Sequence, residues 1–201
     1  MGNSPGKREI NQKRYNTLMS VWKTLSSKTV YKNKFITVQE DEVIRPDGSR
    51  GVYGYVKIPR TVGIVAMDSS GFFYLCKQSR YIFKEESWEI PRGFVDNSES
   101  FKQAAMRELK EEAGLSSPDI VSVGSIRTSI GVIDEEAEIF LAKDVVGGES
   151  TDDSHEIDKV KKFTLEDILE MIKENKIKDG LTIGAIQKIS HYLVKVLSRS
   201  V

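Results

Sequence analysis

The sequence predicts an α/β fold, a three-layer α/β/α sandwich with a mixed β-sheet, preceded by an N-terminal β-hairpin region. Three observations predict it. Short segments rich in β-branched and aromatic residues stand on both sides of a capped amphipathic helix, two further helical segments close the chain, and a turn-centred strand pair precedes them. Helices able to cover both faces of such a strand set make a layered sandwich. With 201 residues the chain can build one full core plus an appendage. Its 39% hydrophobic and 30% charged content excludes a disordered or membrane-embedded chain. Thirty basic and thirty acidic residues cancel, which removes the broad positive field of a general nucleic-acid binder. A polyanionic substrate would have to be held locally.

Residues 1–27 read as a leader, partly flexible. Its start, MGNSPGKREINQKR, has no apolar signal region, and Lys7, Arg8, Lys13 and Arg14 read as a solvated leader rather than a nucleic-acid arm. No apolar run approaches the roughly 20 residues that span a bilayer. The single cysteine, Cys76, cannot form an internal disulfide and is flanked by apolar residues, as expected of a buried thiol in a reducing cytoplasm.

Residues 28–59 form the hairpin region: Thr29–Arg45 is strand-rich, Pro46-Asp47-Gly48-Ser49 a turn, and Gly51–Ile58 a returning strand. Residues 60–201 form the main domain. Val62–Met67 and Phe72–Lys77 pair around Asp68-Ser69-Ser70-Gly71, and a short extended segment follows near Trp88–Val95. Ser100 with Gln103 makes a capping box, Gly114 a C′ stop, and Phe101, Ala104, Ala105 and Leu109 an apolar stripe, which predicts a helix over Phe101–Ala113. Strands are expected at Ile120–Thr128, Ala137–Lys143 and Glu156–Phe163, with an acidic loop from Gly147 to Asp153. Thr164 caps a helix over Leu165–Asn175, and Ile183, Ile186, Leu193 and Val196 mark the buried stripe of a last helix from about Thr182 to Leu197.

Chemistry is concentrated on the first helix. Glu108, Glu111 and Glu112 stand at i, i+3 and i+4, so three carboxylates share one side. Like charges at that spacing cost about 0.2–0.5 kcal/mol per pair, a conflict that a bound cation removes. Carboxylate oxygen is a hard ligand suited to Mg²⁺ or Mn²⁺, and magnesium keeps positions open for water and substrate phosphate. The helix therefore reads as a platform for a metal and a diphosphate.

The stretch GFVDNSESFKQAAMRELKEEAGL, Gly93 to Leu115, fits G-x5-E-x7-R-E-U-x-E-E-x-G-U at every fixed position, where U is aliphatic. It resembles the Nudix box. The hairpin region, Gln78-Ser79-Arg80, Trp88-Glu89-Ile90-Pro91-Arg92-Gly93 and the helical tail extend the resemblance to the ADP-ribose and nucleoside-diphosphate-sugar pyrophosphatase branch, from roughly Lys28 to the end. The resemblance implies a Nudix-type sandwich and a homodimer built through the hairpin. It further implies metal ligation by Glu108 and Glu112, with Glu111 close by and the Arg92 carbonyl as a further ligand.

Glu99 and Arg107 then support those ligands, and Arg80 contacts the substrate's phosphate or distal sugar. Trp88 either flanks a base or sugar or belongs to the core. The resemblance also implies a general base on a loop C-terminal to the box. Glu156 is the first candidate, with Asp152, Asp153 and Glu135 competing; Glu135 also matches a position that touches the metal-phosphate cluster. His155 and His191 read as bystanders.

Ser129-Ile130-Gly131 stands where ADP-ribose-preferring members commonly carry Ser-Pro-Gly, and the missing proline ring favours a broader nucleotide-sugar class. The leading expectation is a Mg²⁺-dependent, cytoplasmic hydrolase of nucleoside diphosphate sugars. Hydrolysis of another diphosphate, such as a nucleoside triphosphate, dinucleotide polyphosphate or capped RNA, and a non-catalytic nucleotide-binding module are the alternatives.

Overall fold

The computed structural model describes residues 22–147 and 157–197. The chain divides into two compact units, Met1–Ile58 with Gly131–Asp134 and Pro59–Ile130 with Glu135–Val201.

In the first unit, β1 (Lys23–Lys32), β2 (Thr37–Ile44) and β3 (Arg50–Lys57) form an antiparallel meander, and Ile133–Asp134 adds to β3 in parallel. One expectation changes here: strand β1 begins at Lys23, inside the stretch read as leader, and the strand-rich segment Thr29–Arg45 holds the end of β1 and all of β2. Every residue of β1 is exposed, so it carries no alternation for a sequence to display. The chain reverses at Asn33, whose Oδ1 accepts from the amides of Phe35 and Ile36 at 2.8 Å each. The expected turn after β2 is present: Asp47 Oδ1 accepts from the Ser49 amide at 2.9 Å, and Gly48 takes φ 83°.

The second unit contains β4 (Thr61–Met67), β5 (Phe73–Arg80), β6 (Glu85–Glu89), β7 (Arg92–Phe94), α1 (Phe101–Ala113), β8 (Asp119–Ile126), β9 (Ala137–Lys143), β10 (Ile157–Phe163), α2 (Leu165–Lys173) and α3 (Gly180–Leu197). Its sheet runs β10-β5-β4-β9-β8, with β6 on β5 and β7 on β4. Only β4 and β9 pair in parallel, which makes the sheet mixed.

Side chains alternate between two apolar layers, as the period of a strand requires. Val62, Ile64, Ala66, Cys76, Phe140 and Ala142 meet Ala104, Ala105, Leu109 and Ala113 of α1. Val65, Leu75, Ile139 and Leu141 meet Ile168 of α2 and Leu181, Ala185, Ile186 and Ile189 of α3 on the other face. The α/β/α sandwich is therefore complete in this unit. None of the described helices is long and apolar enough to cross a membrane.

One irregularity prepares the site. Strands β4 and β5 pair only at Ala66–Tyr74 and Met67–Phe73; beyond that, β4 pairs with β7 and β5 with β6. The two strands fork, and Glu85–Phe94 runs into the opening, anchored where the Ile64 amide donates to the Pro91 carbonyl at 2.8 Å. This brings Glu89 to Gly93 beside the carboxylate side of α1.

Candidate active site

Helix α1 is started and stopped by its own residues. The Ser100 hydroxyl accepts from the Gln103 amide at 3.3 Å while Gln103 Oε1 accepts from the Ser100 amide at 2.9 Å, and Gly114 closes the helix at φ 66°. These caps fix the ends of α1, and burial of its apolar stripe turns Ala104, Ala105 and Leu109 to the sheet with the glutamates beside them.

Arg107 organises the first carboxylate group. Its Nε and Nη2 grip Glu99 at 2.8 and 3.0 Å, Nη1 donates to Glu108 at 2.7 Å and to Glu111 at 2.9 Å, and Nη2 reaches the Phe94 carbonyl at 2.9 Å. All five N–H donors of a guanidinium are thus engaged. The Glu99 bond, ahead of those to Glu108 and Glu111, holds Arg107 protonated well beyond its ordinary range, and the same bond pulls the Glu99 carboxyl below its own.

Glu112 lies in different surroundings. Its Oε2 accepts from the Arg92 amide at 2.8 Å, and Gln78 Nε2 stands 3.4 Å from Oε1, a weak contact. Burial pushes the Glu112 carboxyl up to about 8, with the Arg92 amide bond acting in the opposite direction. Burial raises Glu108 as well, against the pull of Arg107. In both, burial outweighs the pull of the neighbouring arginines and favours the protonated form.

The donor set fits a hard divalent cation. Carboxylates of Glu108, Glu111 and Glu112 and the carbonyl of Arg92 are all oxygen ligands. Among the described residues no three acidic, imidazole or thiol groups stand close enough to form a ready metal cage; Glu108 and Glu111 bond to Arg107, and Glu112 accepts from the Arg92 amide. The desolvated carboxyls are what a cation would relieve, and Gly93 leaves space for them. A Cβ on Gly93 would fall 2.0 Å from the Glu108 carboxyl carbon.

Beside this group lies a cleft of about 980 Å³, lined by Ser79, Arg80, Ser87, Glu89, Arg92 and Asp179 among others. Arg80 sits at the end of β5 and Glu89 at the end of β6. Glu89 is 1% exposed and takes both guanidinium groups: Arg80 Nε binds its Oε1 at 2.8 Å, Arg80 Nη2 donates to its Oε2, and Arg92 Nη2 binds its Oε2 at 3.1 Å. Arg92 Nη1 also meets Asp179 at 3.1 Å.

The fold gathers Glu99, Arg107, Glu108 and Glu111 into one ion-pair group, places Arg92 and Arg80 along the neighbouring cleft, and joins Glu112 to the Arg92 amide. It does not bring Trp88 there. Alternation along β6 turns Trp88 to the opposite face from Ser87 and Glu89, where its ring packs edge-on against Phe163 at 5.1 Å. Of its two sequence readings, this contact matches the core one. Glu135 accepts a bond from the Thr128 hydroxyl. Glu156, Asp152, Asp153 and His155 lie outside the described residues, as does the side chain of His191. Sequence reasoning assigned no role to Glu89, Asp179 or Gln78. An acidic residue directly before the apolar pair Ile90-Pro91 was the one available signal for Glu89.

Comparison with known proteins agrees with this architecture. A model of the NUDIX domain matches residues 57–182, and one of the nucleoside diphosphate sugar hydrolase N-terminal domain matches residues 22–56. An ADP-ribose pyrophosphatase of Bacillus subtilis (strain 168) is 30% identical over 167 residues, which cover 82% of this chain and 90% of that protein. A methanol dehydrogenase activator of Bacillus methanolicus is 28% identical over 168 residues, covering 82% and 90%. The crystal structure of an ADP compounds hydrolase superposes with a TM-score of 0.76 at 20% identity, covering 87% of this chain and 95% of that one, a likeness of fold.

Proposed function

This chain belongs to the Nudix family of pyrophosphohydrolases, and from that membership we propose that it is a Mg²⁺-dependent hydrolase of nucleoside diphosphate sugars, ADP-ribose or a related compound. It would split the diphosphate into a nucleoside monophosphate and a sugar phosphate. The observation that carries this reading is geometric: Glu108, Glu111 and Glu112 stand on one side of α1, with the Arg92 amide bonded to Glu112 and the cleft lined by Arg80 and Arg92 beside them. The match of residues 22–56 to the nucleoside diphosphate sugar hydrolase N-terminal domain supports the substrate class.

Glu108, Glu111, Glu112 and the Arg92 carbonyl would hold the cation, Mg²⁺ or alternatively Mn²⁺. When bound, it neutralises charge on phosphate oxygens and lowers the pKa of water. Arg107 keeps Glu108 and Glu111 in place, and Glu99 fixes the plane of Arg107. Arg80 presents permanently charged, planar donors to the substrate, its own plane set by Glu89. Glu156 is the proposed base that accepts the proton of the attacking water, with Asp152, Asp153 and Glu135 as its competitors.

A homodimer formed through the hairpin unit belongs to the same reading, as does a cytoplasmic location, with which the single, buried Cys76 is consistent. Incubating the purified protein with Mg²⁺ and a panel of nucleoside diphosphate sugars, dinucleotide polyphosphates, nucleoside triphosphates and capped RNA tests the proposal. Monophosphate and sugar phosphate are expected from the first group. Products only from the others would move the enzyme to another substrate class.

A further inference from the structure

Between the carboxylate helix and the last helix runs a chain of polar contacts that the proposed reaction does not use. Thr182, in the first turn of α3, is 0% exposed, yet its hydroxyl is satisfied in both directions. It donates to Asp179 Oδ2 at 2.8 Å and accepts from the Ile90 amide at 3.1 Å. Asp179, the residue before α3, also accepts from the Thr182 amide at 2.8 Å, and its other oxygen meets the Arg92 guanidinium at 3.1 Å. The segment Ile90–Arg92 is therefore held at two points, one backbone and one side chain. The Arg92 amide in turn donates to Glu112 at 2.8 Å.

We propose that Asp179 and Thr182 are positioning residues that clip Ile90–Arg92 so that the Arg92 amide holds the Glu112 carboxylate in its metal-binding orientation. The inference rests on the reading of Glu112 as a metal ligand. A buried hydroxyl in an apolar layer is costly unless both its donor and acceptor capacities are used, and here Asp179 takes the proton and so leaves the oxygen lone pair directed at Ile90. Asp179 then adds the second restraint through Arg92. Outer groups of this kind orient ligands they never touch, and their loss costs about 10–100-fold in metal affinity or activity.

The test uses the full chain. Thr182→Val removes the acceptor for Ile90, Thr182→Ser returns it, and Asp179→Asn removes the charge that meets Arg92 while keeping an acceptor for Thr182. Two readouts need no substrate: free Mn²⁺ followed by electron paramagnetic resonance, and metal-free hydrogen exchange at the Arg92 amide. Thr182→Val and Asp179→Asn are expected to weaken Mn²⁺ binding about 10–100-fold and to release Arg92 exchange, while the Leu109 amide stays protected and Thr182→Ser behaves as the wild type. If Thr182→Val fails to fold, Asp179→Asn decides alone.

Unchanged Mn²⁺ affinity and unchanged Arg92 exchange in a folded variant overturn the proposal. So does equal acceleration of Arg92 and Leu109, which marks general destabilisation. A wild type that binds Mn²⁺ and shows the expected variant effects, but hydrolyses no nucleoside diphosphate sugar, upholds the clip and removes the substrate assignment.

Discussion

In the proposed reading a single carboxyl, that of Glu112, joins stability to metal binding. An unfolded glutamate titrates near 4.5, whereas the buried Glu112 titrates at about 8, so between those values the native state keeps a proton that the unfolded chain has released. The stability this contributes is complete below the unfolded pKa and is lost as pH rises through the folded one. The metal-free protein is expected to lose on the order of 5 °C in melting temperature between pH 6 and 8.5, a window in which ordinary carboxylates do not titrate. Calorimetry in chelator should show this slope, a nearly flat profile in Glu112→Gln, and recovery of the wild type at pH 8 on adding Mg²⁺. A cation must displace the Glu112 proton, so Mg²⁺ affinity should also climb with pH across the same range. Glu112→Gln should fold normally and lower turnover by about a thousandfold, a loss comparable to removing a key electrostatic contact; turnover near the wild-type value would take Glu112 out of the metal set.

Helix α1 and strand β7 form one working element. Caps at Ser100 and Gly114 set the ends of α1, its buried alanines and Leu109 set its rotation, and Gly93 on β7 lets the strand approach the Glu108 carboxylate without a side chain between them. Gly93→Ala would place a methyl 2.0 Å from the Glu108 carboxyl carbon, so either Glu108 swings away from Arg107 or the strand shifts. Overpacking of this sort costs about 1–3 kcal/mol, measurable as a lower urea midpoint, and it should weaken Mn²⁺ binding in the same variant. An unchanged midpoint with normal Mn²⁺ affinity would show that the space beside Gly93 is not needed. The fork between β4 and β5 belongs to this scale as well. Arg92 and Gly93 reach α1, and Glu89 reaches Arg92, only because each strand pairs with a different partner beyond Met67 and Phe73.

For the whole molecule, the question is assembly. Strand β1 is exposed along its length, and Leu25, Val30, Tyr31 and Phe35 are each more than 40% exposed. In the proposed reading these apolar side chains belong to the dimer surface. Sedimentation equilibrium should return twice the chain mass of 22.7 kDa, and Tyr31→Asp should return the monomer. A wild type that sediments as one chain at micromolar concentration would remove the homodimer from the reading.

What the sequence determines is whatever is signalled locally. Helix α1 is legible to the residue, Phe101 to Ala113, because its capping box, apolar stripe and closing glycine lie within a few positions of one another. The same holds for the spacing of Glu108, Glu111 and Glu112, for β9 at Ala137–Lys143, and for the order of layers. Tertiary structure decides everything that depends on pairing across distance. Trp88 and Glu89 are neighbours in sequence, yet the register of β6 sends one to Phe163 and the other to Arg80 and Arg92. Asp179 and Thr182 reach Arg92 and Ile90 across most of the domain. Burial, which lifts Glu112 to about 8, is a property of the surrounding fold rather than of the glutamate itself. Local chemistry chooses which carboxylates face one way, and the packing around them determines how strongly each one favours a proton or a metal.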